Sequence, residues 1–141
     1  MCACAQFISD PLTAKVNQLF DHLANRQTEF FVPDLFYIEC ANTLWKYVRA
    51  GLYTAAEVQA DLASLKALPL RVVSIADLMA EAVTIGLAYG ISAYDASYVA
   101  LSQQASAPLL TTDEKLVRAL AAACYDIRSF NDFSISPLPL L

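Results

Sequence analysis

The chain has 141 residues and a mass of 15.4 kDa, the size of one globular domain; 57% apolar against 16% charged residues excludes intrinsic disorder and low-complexity or collagen-like classes. A net charge of −5 with a pI near 4.6 excludes the bulk basic field that drives general nucleic-acid affinity, so a phosphate-bearing substrate would need local cations or a bound metal. Mean hydropathy is +0.45, yet the longest apolar run, Ala119 to Tyr125, falls far short of the roughly 18 residues of a spanning helix, and a soluble chain without a membrane partner is expected.

The opening Met-Cys-Ala-Cys-Ala has neither the basic n-region nor the apolar h-region of a secretory signal, so a cytoplasmic protein is expected. Asp10-Pro11 reads as an N-cap with proline in the first turn, and Leu12, Val16, Leu19, Phe20 and Leu23 give one apolar helical face to about Arg26. A strand over Phe30 to Val32 follows. Asp34 is read as the cap of a second helix with Leu35, Ile38, Ala41, Leu44, Trp45 and Val48 at helical spacing, stopped by Gly51.

Thr54-x-x-Glu57 is a capping box for a third helix with Val58, Leu62 and Leu65 inward, closed by Pro69 before a strand from Leu70 to Ile75. A helix from Asp77 to Tyr89 ends at Gly90. Ser92-x-x-Asp95 opens another, running to about Ala105. The strand Leu109 to Thr111 exits through Thr112-Asp113, a helix spans Glu114 to Ala123, and a last strand spans Tyr125 to Phe130. One domain over 1–133 is expected, with a tail over 134–141 that is extended and mobile or packed on a partner. Strands alternating with helices predict an α/β domain with a mainly parallel sheet.

Ligands of open α/β sheets sit at the carboxyl ends of the strands, where the next helices begin. Three acids fall there: Glu39, Asp95 and Asp113. Carboxylate oxygens suit Mg²⁺ or Mn²⁺, which polarise a phosphate and activate water, but a solvated face or a helix cap explains each acid equally well. Glu39, Asn42, Lys46 and Arg49 at i, i+3, i+7 and i+10 form one flank of the second helix, either a phosphate track or an ordinary charged face. His22 reads as a solvated residue. Cys2, Cys4, Cys40 and Cys124 contain no Cys-x-x-Cys pair and read as small hydrophobes and a terminal pair, without disulfides or zinc. Glycines only at 51, 86 and 90 exclude dinucleotide and P-loop phosphate loops, and no Gly-x-Ser-x-Gly elbow is present.

Three segments carry a resemblance: Val-Pro-Asp-Leu-Phe-Tyr-Ile-Glu-Cys-Ala-Asn over 32–42, Ile-Ser-Ala-Tyr-Asp-Ala-Ser-Tyr-Val-Ala-Leu over 91–101, and Leu-Leu-Thr-Thr-Asp-Glu-Lys-Leu over 109–116. In this order they resemble the PIN domain, specifically the VapC-like toxins of prokaryotic toxin–antitoxin pairs, over nearly the whole chain from Phe7 to Phe133. The resemblance implies a three-layer α/β/α fold and a Mg²⁺- or Mn²⁺-dependent endoribonuclease, with an antitoxin as inhibitory partner and a homodimer as assembly. It assigns Glu39, Asp95 and Asp113 as metal-holding catalytic acids, Asn42 as the supporting amide, and Thr111 and Thr112 as the hydroxyl-bearing neighbours of the last acid. Lys46 and Arg49 join the substrate-binding set from the helix pattern above.

The family's first, central strand ends in a fourth acid, and Cys2 to Phe7 matches only the family's residues just past that acid. The strand and its Asp are therefore expected ahead of Met1, with Asp10 too far downstream to replace them. Either the chain starts late or it is a degenerate copy. Weak metal binding and weak or no cleavage are the expectation for this chain, and a non-catalytic remnant that still binds an antitoxin or other partner is the alternative.

Overall fold

A computed structural model describes residues 13–25 and 28–136. The chain divides into two compact units built from alternating segments, one from Phe31–Asp34 with Arg71–Ser134, the other chiefly from the residues before Phe31, from Leu35–Leu70 and from the C-terminal end.

The first unit holds β1 (Phe31–Pro33), β2 (Arg71–Val73), α4 (Ile75–Tyr89), α5 (Ala93–Ala105), β3 (Leu109–Thr111), α6 (Glu114–Ala119) and β4 (Ile127–Ser129). Its strands are parallel, as the alternating pattern predicts, but they form two separate ladders. β1 pairs with β2 in the register Phe31 to Arg71, and β3 pairs with β4 in the register Leu109 to Ile127. Among the described residues no hydrogen bonds join the two ladders. The expected first strand and its acid, and the Asp10-Pro11 helix start, lie outside the described residues. Helix α5 packs against both β1 and β3 and so spans the two ladders.

The core of this unit is apolar and continuous: Leu78, Ala82 and Ile85 of α4, Ala96, Val99, Ala100 and Leu101 of α5, and Leu116 and Leu120 around α6. Gly86 permits a close approach of the chain, because a Cβ there would lie 3.0 Å from the Ile91 carbonyl oxygen. Gly90 then ends α4 at φ +67°, a left-handed conformation that a side chain would strain. Among the described residues no single helix is long and apolar enough to cross a membrane; α4 and α5 are bent from each other by 113°.

The second unit holds α1 (Thr13–Ala24), α2 (Leu35–Arg49) and α3 (Ala55–Ala67). α1 buries Val16, Leu19, Phe20 and Leu23, the face that periodicity predicts, and Phe20 meets Phe30 edge to face at 5.8 Å. α3 opens on the full Thr54/Glu57 capping box, with Glu57 accepting the Thr54 backbone N–H at 2.8 Å. The Tyr53 hydroxyl donates to Asp61 at 2.7 Å, which with burial pushes the phenol pKa up to about 12.

Several expectations need correction. α2 buries Phe36, Cys40 and Leu44, while Ile38 and Trp45 are 64% and 54% exposed. Asp34 serves α4 as well as its own neighbourhood: its Oδ1 accepts the Ile75 N–H at 3.1 Å, and its own N–H donates to the Val73 carbonyl. α4 starts two residues early, at Ile75, because Ser74 caps it. α6 stops at Ala119, and the strands are three residues each. His22 is half-buried and its Nε2 bonds the Ser136 carbonyl at 2.7 Å, tying the start of the expected tail to α1. Cys40 is buried, whereas Cys124 is exposed.

Ile85→Ala, at 1% exposure in the centre of the α4–α5 contact, should destabilise the chain by about 2–5 kcal/mol through lost burial and the remaining cavity. Urea or thermal unfolding followed by circular dichroism measures it; a loss under 1 kcal/mol would show that this contact does not hold the unit together.

Candidate active site

Of the expected acids, Asp95 and Asp113 belong to the first unit and Glu39 to the second. Asp95 lies in the first turn of α5, where Ser92 is the N-cap. The Ser92 hydroxyl accepts the Asp95 backbone N–H at 3.1 Å and donates to Asp95 Oδ2 at 2.7 Å, so the reciprocal bond runs between side chains rather than back to the Ser92 amide. That donation orients a half-buried carboxylate while leaving Oδ1 without a hydrogen bond among the described residues.

Asp113 is the N-cap of α6. Its Oδ1 accepts the N–H groups of Lys115 at 2.8 Å and Leu116 at 3.2 Å, and its own N–H donates to the Thr111 hydroxyl at 3.0 Å. Thr111 is 4% exposed and shapes this turn, whereas Thr112 is exposed. Oδ2 of Asp113 carries no hydrogen bond, and neither Asp95 nor Asp113 is ion-paired, among the described residues. Adjacent Glu114 accepts from the Ser129 hydroxyl and from Asn131 Nδ2, bonds that hold its carboxyl below the usual range. Neither Ser92 nor the Ser129–Asn131 pair was legible as a site feature; the Ser92-x-x-Asp95 spacing is the only sequence signal for the first.

Glu39 is exposed on α2 beside Asn42. Both line a groove of about 450 Å³ with Ile38, Ala41 and Trp45. Lys46 and Arg49 end the helix, and the Arg49 guanidinium stands 5.4 Å from the centre of the Trp45 ring. Trp45 was missed as a surface residue because its spacing with Leu44 and Val48 reads as part of the buried face.

As donors, these carboxylates suit a hard divalent cation, since they are oxygen ligands on exposed or half-buried positions. Among the described residues no three His, Cys, Asp or Glu side chains are grouped so as to hold an ion.

Parallel ladders packed with helices, with Asp113 capping the helix after β3 and Asp95 in the first turn of α5, define an α/β protein. The chain matches the PIN domain family over residues 5–121, and it belongs to that family. It is 35% identical over 106 residues to ribonuclease VapC3 of Pyrobaculum aerophilum, covering 72% of this chain and 79% of that protein. It is also 35% identical over 97 residues to ribonuclease VapC3 of Mycobacterium tuberculosis, covering 69% of each. The crystal structure of PAE2754 from Pyrobaculum aerophilum superposes with a TM-score of 0.65 at 20% identity, covering 92% of this chain and 81% of that one, and supports the fold.

Two predictions separate the cap from the charge. Asp113→Ala should cost about 1 kcal/mol of stability through the lost cap, whereas Asp113→Asn, an equally good cap, should leave the melting temperature nearly unchanged. Equal losses in both variants by thermal unfolding would place the effect on the charge instead. Glu114, with its folded pKa depressed, contributes stability present above its unfolded pKa and lost as pH falls through the folded value. Ser129→Ala should therefore raise the Glu114 titration midpoint in a carboxyl-resolved NMR titration; an unmoved midpoint would remove the Ser129 bond as the cause.

Proposed function

We propose that this chain is a metal-dependent endoribonuclease of the VapC-like type that hydrolyses RNA phosphodiester bonds. The observation that carries the reading is its 35% identity to ribonucleases across most of both chains, with the three expected motifs at strand exits or helix starts. Glu39, Asp95 and Asp113 would hold Mg²⁺ or Mn²⁺. The cation, when bound, supplies Lewis-acid polarisation of the scissile phosphate and activation of the attacking water.

The protein's own residues do the rest. Ser92 turns the Asp95 carboxylate by donating to Oδ2, and the α6 amides hold one Asp113 oxygen so that the other is presented outward. Thr111 fixes that turn from inside, and exposed Thr112 offers a hydroxyl to the substrate. Asn42 supplies amide hydrogen bonds beside Glu39, and Lys46 and Arg49 supply local positive charge that the net −5 chain lacks overall. The proposal includes a cytoplasmic location, a homodimeric assembly and inhibition by a cognate antitoxin protein.

Asp95→Asn should lower cleavage of a mixed RNA substrate by roughly 100-fold or more, the scale of removing one charge-stabilising group. The same substitution should abolish the rise of a few degrees in melting temperature that millimolar Mg²⁺ or Mn²⁺ gives the unsubstituted chain. Undiminished cleavage by Asp95→Asn, or no metal-dependent shift in the parent chain, would sink the assignment.

A further inference from the structure

The exposed face of α2 is not an ordinary charged helix surface. Ile38, Asn42, Trp45 and Arg49 recur at i, i+4, i+7 and i+11 and form one outward stripe, opposite the buried Phe36, Cys40 and Leu44. An indole 54% open to solvent loses the hydrophobic stabilisation that burial would give it, and Ile38 beside it is 64% open. Both border the groove of about 450 Å³ that also contains Glu39 and Asn42, a volume within the range of small-ligand sites.

We infer that this groove is a nucleobase subsite in which an unpaired RNA base stacks on Trp45. The inference rests on the ribonuclease reading above and adds the group that would grip the substrate. Three features select a nucleotide over another occupant. An indole face is a sequence-tolerant stacking platform, and the Arg49 guanidinium already stands over the ring at 5.4 Å, the arrangement that interleaves a cation with a stacked base. Asn42, in the groove wall, presents both a donor and an acceptor to a base edge. Lys46 and Arg49 close the same end of the helix with positive charge, complementary to the phosphates flanking that base. A purely apolar partner surface would leave those two cations facing it without counter-charges. Stacking requires a splayed base, so the subsite selects single-stranded segments over duplex.

Trp45 is the chain's sole tryptophan, so its fluorescence reports the subsite directly. The full chain carrying Asp95→Asn, which leaves α2 untouched, is titrated with single-stranded oligo(U) and oligo(A), with duplex RNA, and with inorganic polyphosphate. Both single strands should quench Trp45, duplex and polyphosphate should not, and the quenching should survive moderate salt. In filter binding, Trp45→Ala should weaken single-strand affinity about 5- to 150-fold, and Trp45→Phe should retain most of it.

Equal quenching by polyphosphate would overturn the inference in favour of charge alone. Unchanged RNA affinity in Trp45→Ala, accompanied by a changed sedimentation coefficient, would overturn it in favour of a protein-docking face. Cleavage of RNA by the unsubstituted chain is measured alongside. Cleavage without quenching rejects the subsite and leaves the ribonuclease reading standing; quenching without cleavage does the reverse.

Discussion

The first unit depends on how closely α4 and α5 approach at Gly86. A Cβ at that position would press on the Ile91 carbonyl oxygen at 3.0 Å, so the missing side chain is what lets the chain reverse within three residues and lay α5 against α4. The same residue's carbonyl accepts from both Gly90 and Ile91, which closes the end of α4 and leaves Gly90 in its left-handed conformation. Ser92 then begins α5 immediately, and Asp95 falls one turn in. The position of a candidate catalytic acid is thus a consequence of a packing constraint nine residues earlier. Because α5 lies against β1 and β3, the same contact holds the two ladders over one core.

Asp95 and Asp113 carry structural work with one oxygen and leave the other without a hydrogen bond among the described residues. Asp113 gives Oδ1 to the α6 amides, and Asp95 gives Oδ2 to Ser92. A carboxylate at a helix start is favoured by the unpaired N–H groups and the helix dipole. Such an acid is cheap to hold in place and still has a lone-pair-bearing oxygen to offer. Glu114 differs: Ser129 and Asn131 both donate to the same oxygen, which binds the start of α6 to the exit of β4. It acts as a brace between elements, and its depressed pKa reflects that bracing.

Local chemistry was legible wherever one side chain answers one backbone group. The Thr54/Glu57 box, the Gly90 stop and the Asp113 cap all follow from residues within four positions of each other. What escaped were choices made by distant partners. Asp34 reads as the cap of α2 because it precedes that helix, yet its carboxylate accepts the amide N–H of Ile75, 41 residues on. α2 is apolar on two sides, Phe36–Cys40–Leu44 and Ile38–Ala41–Trp45, and periodicity alone does not say which side is buried. The three acids are assigned through motif order rather than through spacing, because a helix cap or a solvated helix face has the same local pattern.

The exposed side of α2 also bears on the acidity of the whole chain. At −5 the protein repels a polyanion at long range, and screening over roughly 8 Å at physiological salt confines any attraction to groups in direct contact. An enzyme with this balance gains little from electrostatic steering. Under the proposed reading, affinity for RNA comes from short-range terms that salt does not erase, and stacking on an indole is one of them. Lys46 and Arg49 sit in the last turn of α2, where the helix dipole favours cations, so the positive charge is placed where the fold already stabilises it. The physical economy is the mirror of that at Asp95 and Asp113: helix starts hold the acids, a helix end holds the bases, and each gains its position from backbone geometry before any substrate arrives.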